Sequence, residues 1–200
     1  MPTDEDFPFV IDCATSITQR GKLEYYARIG KSTPEGMVIG RDGRALTNTE
    51  EILVQLNTGE AALAPLGGIG EELAGYKGYG YATVVEILSA ALQQGNYLRM
   101  LTGMKDGKKV PYHLGHFFIA IDTEAFMGAD AFKKTAGDIL RELRGSQKAP
   151  GEERIYTAGE KEWDVWQSRK DSGVPINEAV QKEFSAVRDR FKLAYTFPWD

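Results

Sequence analysis

Cysteine, histidine and excess positive charge are all scarce in this chain of 200 residues. A single cysteine, Cys13, cannot form an intrachain disulfide, and with only two histidines the sequence offers no cluster suited to zinc. The formal net charge is −5, whereas nucleic acids and anionic membrane surfaces favour a basic protein. We therefore predict neither a metal site nor a nucleic-acid partner.

Long apolar runs are also missing. No run approaches the roughly 20 residues that cross a bilayer, and the acidic start Met1–Asp6 lacks the apolar centre of a signal peptide. These absences predict a cytoplasmic protein with no membrane partner. A hydrophobic content of 42% and a charged content of 26% are typical of a globular protein, and the chain is long enough to bury a core without disulfides.

Strand and helix patterns alternate along the chain and predict an α/β fold. Apolar runs at 7–12 (FPFVID) and 116–121 (HFFIAI) predict buried strands. Met37–Ile39 predicts one arm of a short hairpin, and Asn48 or Thr49 is expected to cap a short helix. Other helices are predicted from Thr15 or Ser16 to about Ile29, over 84–92, over 132–143 and from about Asn177.

A glycine-rich segment, PLGGIGEELAGYKGYG, occupies residues 65–80. Its spacing does not fit a Rossmann loop, because the third glycine position counted from Gly68 falls on Leu73. Gly75–Gly80 stands directly before the helix predicted over 84–92. Free backbone N–H groups, the helix dipole and Lys77 would favour an anion there. A flexible turn with a solvated lysine explains the same pattern equally well.

Several chemically capable residues have simpler structural explanations. Gly30–Ser32 resembles the end of a phosphate-binding P-loop, but Tyr25 stands where that loop needs its first glycine. His116 opens a predicted buried strand, which favours a core or edge histidine over a catalyst. Cys13 is expected to behave as a small buried hydrophobe. A solvated helix face is the simplest interpretation of the carboxylates Glu152, Glu153, Glu160 and Glu162.

Four strings, taken together, resemble the type-2 malate/L-lactate dehydrogenase family. Ile11–Ser16 with Arg20–Lys22 resembles the family pattern DMATS…RGK, and Pro65–Gly68 with Gly75–Ser89 resembles PLGG…KGYGLALMVEILSG. Gly115–Asp122 resembles GHFFIAIDP, and Ala158–Glu162 resembles PGEPE. Their order and spacing fit along essentially all 200 residues. There are three departures: Cys13 replaces methionine, Ala158 replaces proline, and Ile69–Ala74 separates two glycine groups that are closer in most members.

The resemblance implies an α/β fold of the family's own kind, a non-Rossmann mixed-sheet NAD(P)-binding fold with packed helices. Members use NAD or NADP to oxidise 2-hydroxy acids such as malate, lactate or sulfolactate, or to reduce related keto or imino acids, and they form homodimers. Carried over residue by residue, the implied cofactor contacts are Asp12, Cys13, Ala14, Lys77, Gly159, Glu160 and Lys161.

The resemblance further implies that residues 1–200 form a single NAD(P)-binding, C-terminal region. The family's N-terminal region, with its catalytic histidine and a substrate-binding arginine, would precede Met1. Neither His113 nor His116 matches that histidine, so no catalytic residue is assigned here. One hypothesis is a dehydrogenase whose catalytic base lies outside this chain, in a homodimer or with a partner chain that supplies the missing region. The other is a truncated, non-catalytic dinucleotide-binding or dimerisation module.

Overall fold

The computed structural model describes residues 1–200, which divide into two compact units. The central unit comprises Asp12–Ile121, and the terminal unit combines Met1–Ile11 with Asp122–Asp200. None of the helices in either unit is long and apolar enough to cross a membrane.

The central unit contains three α-helices, one 3₁₀ turn and two small antiparallel sheets. In chain order its elements are α1 (Arg20–Arg28), β1 (Val38–Gly40), α2 (Thr49–Thr58), β2 (Ala61–Leu63), α3 (Gly75–Ala91), the 3₁₀ turn Leu98–Thr102, β3 (Met104–Lys105) and β4 (Lys108–Lys109). Strand β1 pairs with β2, with Val38 opposite Leu63, and β3 pairs with β4.

The core of the central unit lies where α1, α2 and β1 meet. Leu23, Tyr26, Val38 and Ile52 are buried together there. The predicted cap of α2 is confirmed, because the Asn48 side chain accepts a hydrogen bond from the backbone N–H of Glu51 at 3.3 Å.

The predicted hairpin around β1 is also confirmed. The backbone N–H of Gly40 donates to the carbonyl of Arg44, and that of Leu46 donates to the carbonyl of Val38, each at 2.9 Å. The turn that joins the two arms lies between Gly40 and Arg44.

The terminal unit is helical, with α4 (Ala129–Arg144), α5 (Glu160–Arg169) and α6 (Glu178–Phe191). Both helices predicted in this part of the chain are confirmed. The Asn177 side chain caps α6 by accepting the backbone N–H of Val180 at 3.0 Å. Ion pairs connect α4 to the beginning of the chain, with Arg141 on Asp4 at 2.9 Å and Arg144 on Glu5.

Two predicted buried strands are wrong for this chain. Residues 7–12 and 116–121 both form irregular backbone, and the apolar side chains of the second segment face solvent. Phe118 is 87% exposed, and Ile119 and Ile121 are each 70% exposed. A strand needs a neighbour that pairs with it over several residues. Residues 7–12 make only isolated backbone hydrogen bonds, such as that from the Val10 N–H to the carbonyl of Ala158, and neither run pairs with a strand.

The first helix begins later than predicted, at Arg20 instead of Thr15 or Ser16. Ser16 forms an isolated antiparallel bridge with Pro65, and the backbone N–H of Ile17 donates to the carbonyl of Ala64 at 2.8 Å. These long-range hydrogen bonds hold the segment in an extended arrangement and delay the helix.

Candidate functional site

The first predicted cofactor segment, Asp12–Ala14, is exposed irregular backbone at the beginning of the central unit. It leads directly into the pairing with 64–66, in which the backbone N–H of Leu66 also donates to the carbonyl of Thr15 at 3.0 Å. The expectation that Cys13 is buried is wrong, since its thiol lies in an exposed position. Asp12 does not end a strand, because the strand predicted before it is absent.

The glycines of Gly75–Gly80 lie inside α3, whereas the sequence predicted a loop before the helix. Close packing explains them. A Cβ atom on Gly75 would lie 2.1 Å from the carbonyl oxygen of Gly68, and a Cβ on Gly78 would lie 2.2 Å from that of Leu66. These glycines let the first turns of α3 contact the PLGG backbone closely. Their role is therefore helix packing, and it does not require the predicted loop.

Leu66 connects the two motifs of the central unit. Its N–H bonds to Thr15, which follows Asp12–Ala14, and its carbonyl lies against Gly78 of α3. The structure therefore brings Asp12–Ala14 and the N-terminus of α3 to the same part of the unit. A cavity of about 430 Å³ opens beside the beginning of α3, and Gly68, Gly75, Tyr76 and the carboxylate residue Glu71 are among the residues that line it.

Lys77 is the third residue of α3 and is exposed. Its amino group lies 5.9 Å from the centre of the Tyr76 ring and pairs with no carboxylate. The N-terminus of a helix carries partial positive charge, which favours an anion, while the backbone N–H groups of Gly75 and Lys77 themselves donate to the carbonyls of Gly70 and Ala74. A free ammonium group at this helix end can therefore neutralise a phosphate or a carboxylate.

The second predicted segment, Gly159–Lys161, lies at the beginning of α5 in the terminal unit. Gly159 has a φ of 93°, a conformation that favours glycine, and a Cβ there would lie 3.1 Å from the backbone nitrogen of Val10. The N–H of Val10 donates to the carbonyl of Ala158 at 3.1 Å. The glycine thus allows close backbone approach, although the neighbour that the structure shows is the chain's own N-terminal segment.

Glu160 is 2% exposed, so its assignment to a solvated face is wrong. Its carboxylate accepts hydrogen bonds from the Thr157 N–H at 2.9 Å and the Thr157 hydroxyl at 3.0 Å, and it pairs with Arg154. Burial acts to raise the pKa of this carboxyl group, but the hydrogen bonds from Thr157 and Arg154 outweigh it, and the pKa lies below its usual value of 4.5. Both carboxylate oxygens are therefore engaged within the protein.

Neutralising this carboxylate is expected to destabilise the terminal unit. Glu160→Gln removes the charge from a buried set of hydrogen bonds, which costs about 2–3 kcal/mol at neutral pH. Because the folded pKa is lowered, the stabilisation is present above the ordinary carboxyl pKa and is lost as the pH falls through the folded value. Urea unfolding of both proteins from pH 7 to pH 3, followed by circular dichroism, should show the two stabilities converging in acid.

The matched control is Glu162→Gln, because Glu162 lies in the same first turn of α5 but is exposed. It should change the free energy of unfolding by less than about 1 kcal/mol. Equal effects of the two substitutions would show that the buried contacts of Glu160 add nothing to the free energy of unfolding beyond what an exposed carboxylate contributes.

Lys161 is exposed, and its amino group lies 4.8 Å from the centre of the Tyr156 ring. Arg154 lies 4.7 Å from the same ring, so two cations flank one aromatic side chain. Nearby, a cavity of about 680 Å³ is lined by Arg144, Lys148 and Arg154 together with several carboxylates. Sequence analysis missed these cations, since no spacing rule connects them to Glu160.

One sequence signal could have indicated the burial of Glu160. Thr157 and Glu160 form a T-x-x-E pattern, in which the acidic side chain turns back to the backbone N–H of the threonine. The structure shows that contact at 2.9 Å.

Both histidines are exposed, and for His116 this differs from the environment that the sequence predicted. His116 is exposed instead of buried in a strand, and its ring lies 6.3 Å from that of Phe118. His113 is exposed and has a φ of 47°. A general base needs a partner that orients it, and neither imidazole has one here.

The predicted cofactor residues thus belong to two units. Asp12–Ala14 and Lys77 lie in the central unit, and Gly159–Lys161 lies in the terminal unit. Within the central unit the motifs converge at Leu66. This arrangement is a mixed α/β protein with a glycine-walled, cationic helix terminus that is unlike a Rossmann loop.

A model of the malate/L-lactate dehydrogenase family matches residues 1–185, so the chain belongs to that family. It is 39% identical over 186 residues to a malate dehydrogenase of Pyrococcus horikoshii, a match that covers 93% of this chain and 49% of that protein. It is 32% identical over 195 residues to an L-sulfolactate dehydrogenase of Methanocaldococcus jannaschii, which covers 94% of this chain and 49% of that protein. The predicted family is therefore confirmed.

The solved structure of malate dehydrogenase from Entamoeba histolytica is similar to this fold with a TM-score of 0.89 and 38% identity. The match covers 98% of this chain and 54% of that one. The predicted fold class, the mixed α/β arrangement of this family, is confirmed. This chain spans about half the length of the relatives that it matches.

Proposed function

We propose that this chain is the cofactor-binding part of an NAD(P)-dependent oxidoreductase that acts on a small 2-hydroxy acid such as malate or lactate. The observation that carries the proposal is the convergence at Leu66 of Asp12–Ala14 with the Lys77 end of α3. Relatives named malate dehydrogenase and L-sulfolactate dehydrogenase support a 2-hydroxy acid as the substrate.

The residues at this convergence fit a dinucleotide. A nicotinamide dinucleotide carries an anionic pyrophosphate, and the exposed Lys77 ammonium group lies in the first turn of α3, whose Gly75 and Tyr76 line the adjacent cavity. When bound, such a cofactor accepts a hydride from the substrate or donates one to it. Lys77 would hold the pyrophosphate or the substrate carboxylate, and Asp12–Ala14 would offer backbone groups and a carboxylate to the polar parts of the cofactor.

Gly159 and Lys161 in the terminal unit belong to the same proposal. The backbone at Gly159 can approach a planar or polar group closely, and Lys161 carries an exposed positive charge. The Glu160 carboxylate would act indirectly, because its contacts to Thr157 and Arg154 fix the beginning of α5.

Proton transfer needs a general base, and residues 1–200 offer no side chain positioned as one. The hydroxyl proton of a 2-hydroxy acid must reach a general base as the hydride leaves the adjacent carbon. We propose that this base lies outside residues 1–200, in the portion that the relatives have in addition.

Lys77→Ala tests the proposed cofactor site. Losing one charge-assisted hydrogen bond is worth about 1.5–3 kcal/mol, so affinity for the reduced cofactor should fall roughly ten- to a hundredfold. The melting temperature should stay close to that of the parent because the side chain is exposed. Fluorescence titration with NADH and with NADPH measures the effect and also identifies the preferred cofactor.

Lys182→Ala serves as the control, since Lys182 is an exposed lysine on α6 that pairs with no carboxylate. Its titration should overlay that of the parent. The assignment fails if Lys77→Ala binds both nucleotides as tightly as the control, or if the parent chain binds neither.

A non-catalytic dinucleotide-binding module is the second candidate. The exposure of both histidines favours it. Both candidates predict the Lys77 result, and an assay of turnover distinguishes them.

A further inference from the structure

Two arginines of α4 pair with the beginning of the chain, and they differ in what else they contact. Arg141 pairs with Asp4 at 2.9 Å and with Asp138 of its own helix at 2.7 Å. Its side chain is 42% exposed, whereas that of Arg144 is 19% exposed. Exposed ion pairs contribute little to stability, so the more buried arginine is the one whose contacts are expected to matter.

The guanidinium group of Arg144 connects two separate segments of the terminal unit. Its Nη2 donates to the carboxylate of Glu5 in the N-terminal segment, Met1–Ile11. Its Nη1 donates to the Thr157 hydroxyl at 3.2 Å and lies 3.6 Å from a carboxylate oxygen of Glu160. The N–H groups of a guanidinium lie in one rigid plane, so contacts at both nitrogens fix the two segments relative to each other.

The turn at residues 157–160 is closed by its own hydrogen bonds and is held from outside by Arg144. The N–H of Thr157 donates to the Glu160 carboxylate at 2.9 Å, and the N–H of Glu160 donates back to the Thr157 carbonyl at 3.1 Å. Gly159 lies within this turn, and Lys161 follows it in α5. Two of the predicted cofactor residues are therefore carried by a turn that Arg144 contacts.

Arg154 also pairs with Glu160, but its contacts are local. It lies three residues before the turn begins, and its other carboxylate partner is Asp164 in α5, at 3.0 Å. Its side chain is 49% exposed. Arg154 therefore connects the turn only to its immediate neighbours in the chain, whereas Arg144 connects it to α4 and to the N-terminal segment.

The N-terminal segment also packs directly on the turn. The N–H of Val10 donates to the carbonyl of Ala158 at 3.1 Å, and a Cβ on Gly159 would lie 3.1 Å from the same nitrogen. The ring of Phe7 lies 5.9 Å from the Arg144 guanidinium and 6.0 Å from the ring of Trp163 in α5. Arg144 thus lies where the N-terminal segment, α4 and the turn meet.

We propose that Arg144 is a positioning residue of the cofactor site. It holds the turn 157–160 against the N-terminal segment and so presents the Gly159 backbone and the Lys161 amino group to the dinucleotide. In this role Arg144 contacts neither cofactor nor substrate. A turn that is held in place before the ligand arrives loses less conformational freedom on binding, so its release weakens affinity. The inference rests on the proposed dinucleotide-binding function.

Arg144→Lys tests the contact at both nitrogens. Lysine keeps the positive charge, but its single nitrogen cannot replace both Nη1 and Nη2. Hydrogen exchange at the amides of Thr157 and Glu160 should become at least about tenfold faster, because the turn opens more easily. Affinity for NADH or NADPH, measured by fluorescence titration, should fall at least about fivefold. The midpoint of urea unfolding should stay close to that of the parent.

Arg144→Met removes the charge as well. It should show the same faster exchange and weaker affinity, together with a lower midpoint of urea unfolding, because the Glu5 carboxylate loses its buried partner.

Arg141→Met is the matched control. Arg141 lies on the same helix and pairs with Asp4 and Glu5 of the N-terminal segment, but with no residue of 157–160. This substitution should leave amide exchange at Thr157 and nucleotide affinity at the values of the parent.

A purely structural arginine predicts a different pattern. In that case Arg144→Lys would restore amide exchange, affinity and the urea midpoint together, and that result overturns the proposal. The same loss of affinity in Arg141→Met also overturns it. A parent chain that binds neither nucleotide overturns the proposed function and this inference with it, and that failure is recognised in the parent alone, before any variant is compared.

Discussion

Gly78→Ala should be among the most damaging single-methyl changes that this chain can receive. The added Cβ would lie 2.2 Å from the oxygen, 2.5 Å from the nitrogen and 2.8 Å from the Cα of Leu66. All three are backbone atoms, so the helix must move away from the PLGG segment. We expect a loss of about 2–3 kcal/mol in the free energy of unfolding and weaker nucleotide binding, because Lys77 moves with the helix.

The control lies two residues further along the same helix. Gly80 has open space at its Cβ position, so Gly80→Ala gains helix propensity without a clash and should stabilise by about 0.5–1 kcal/mol. Urea unfolding of the two variants, followed by circular dichroism, compares them directly. Similar stabilities would show that the close contact between α3 and Leu66 does not limit the fold.

Residues 1–200 alone should not catalyse hydride transfer. A positioned general base contributes roughly a hundred- to ten-thousandfold to the rate, and neither His113 nor His116 has a side chain that orients it. An assay with malate, lactate and their keto acids, with both nicotinamide cofactors, follows the absorbance of the reduced nicotinamide. Nucleotide binding without turnover is the expected result.

The histidine variants separate the possible explanations if turnover is found. Activity that vanishes in His116→Ala but survives in His113→Ala would place the catalytic base in this chain. That outcome would falsify the assignment of the base to the unmatched portion. Activity gained only after the unmatched half of a relative is added would instead favour a dehydrogenase over a non-catalytic module.

Local signals in the sequence were enough to find most of the helices. Asn48 and Asn177 cap α2 and α6 through contacts within three residues, so the information lies next to the helix that it starts. The helix beginning at Gly75 was predicted too late, because its first glycines serve contacts with residues earlier in the chain, Gly75 with Gly68 and Gly78 with Leu66.

The two wrong strands have a different cause. The run at 116–121 has the composition of a buried strand, but strand formation depends on a neighbour, and residues 1–200 do not provide one. His116 was predicted to be buried and is exposed for the same reason, because the strand that it would open does not form. At Cys13 it was misjudged because the strand expected before Asp12 does not form.

The candidate site was predictable as a set of positions but not as a set of contacts. The resemblance identified Lys77 and Glu160 alike, yet the first proves exposed and unpaired, whereas the second is buried among Thr157 and Arg154. Long-range partners such as Arg144 lie beyond any spacing rule, so only the folded structure could separate the two roles.

The contact between Gly68 and Gly75 also bears on how this family can vary. The extra stretch Ile69–Ala74 begins after Gly68 and ends before Gly75, and the backbone of Gly68 lies in contact with Gly75. A loop whose ends meet can lengthen or shorten at little entropic cost. Its length is therefore uncoupled from the register between Leu66 and Lys77, and insertions there can diversify the surface beside the cavity while the N-terminal end of α3 stays in place.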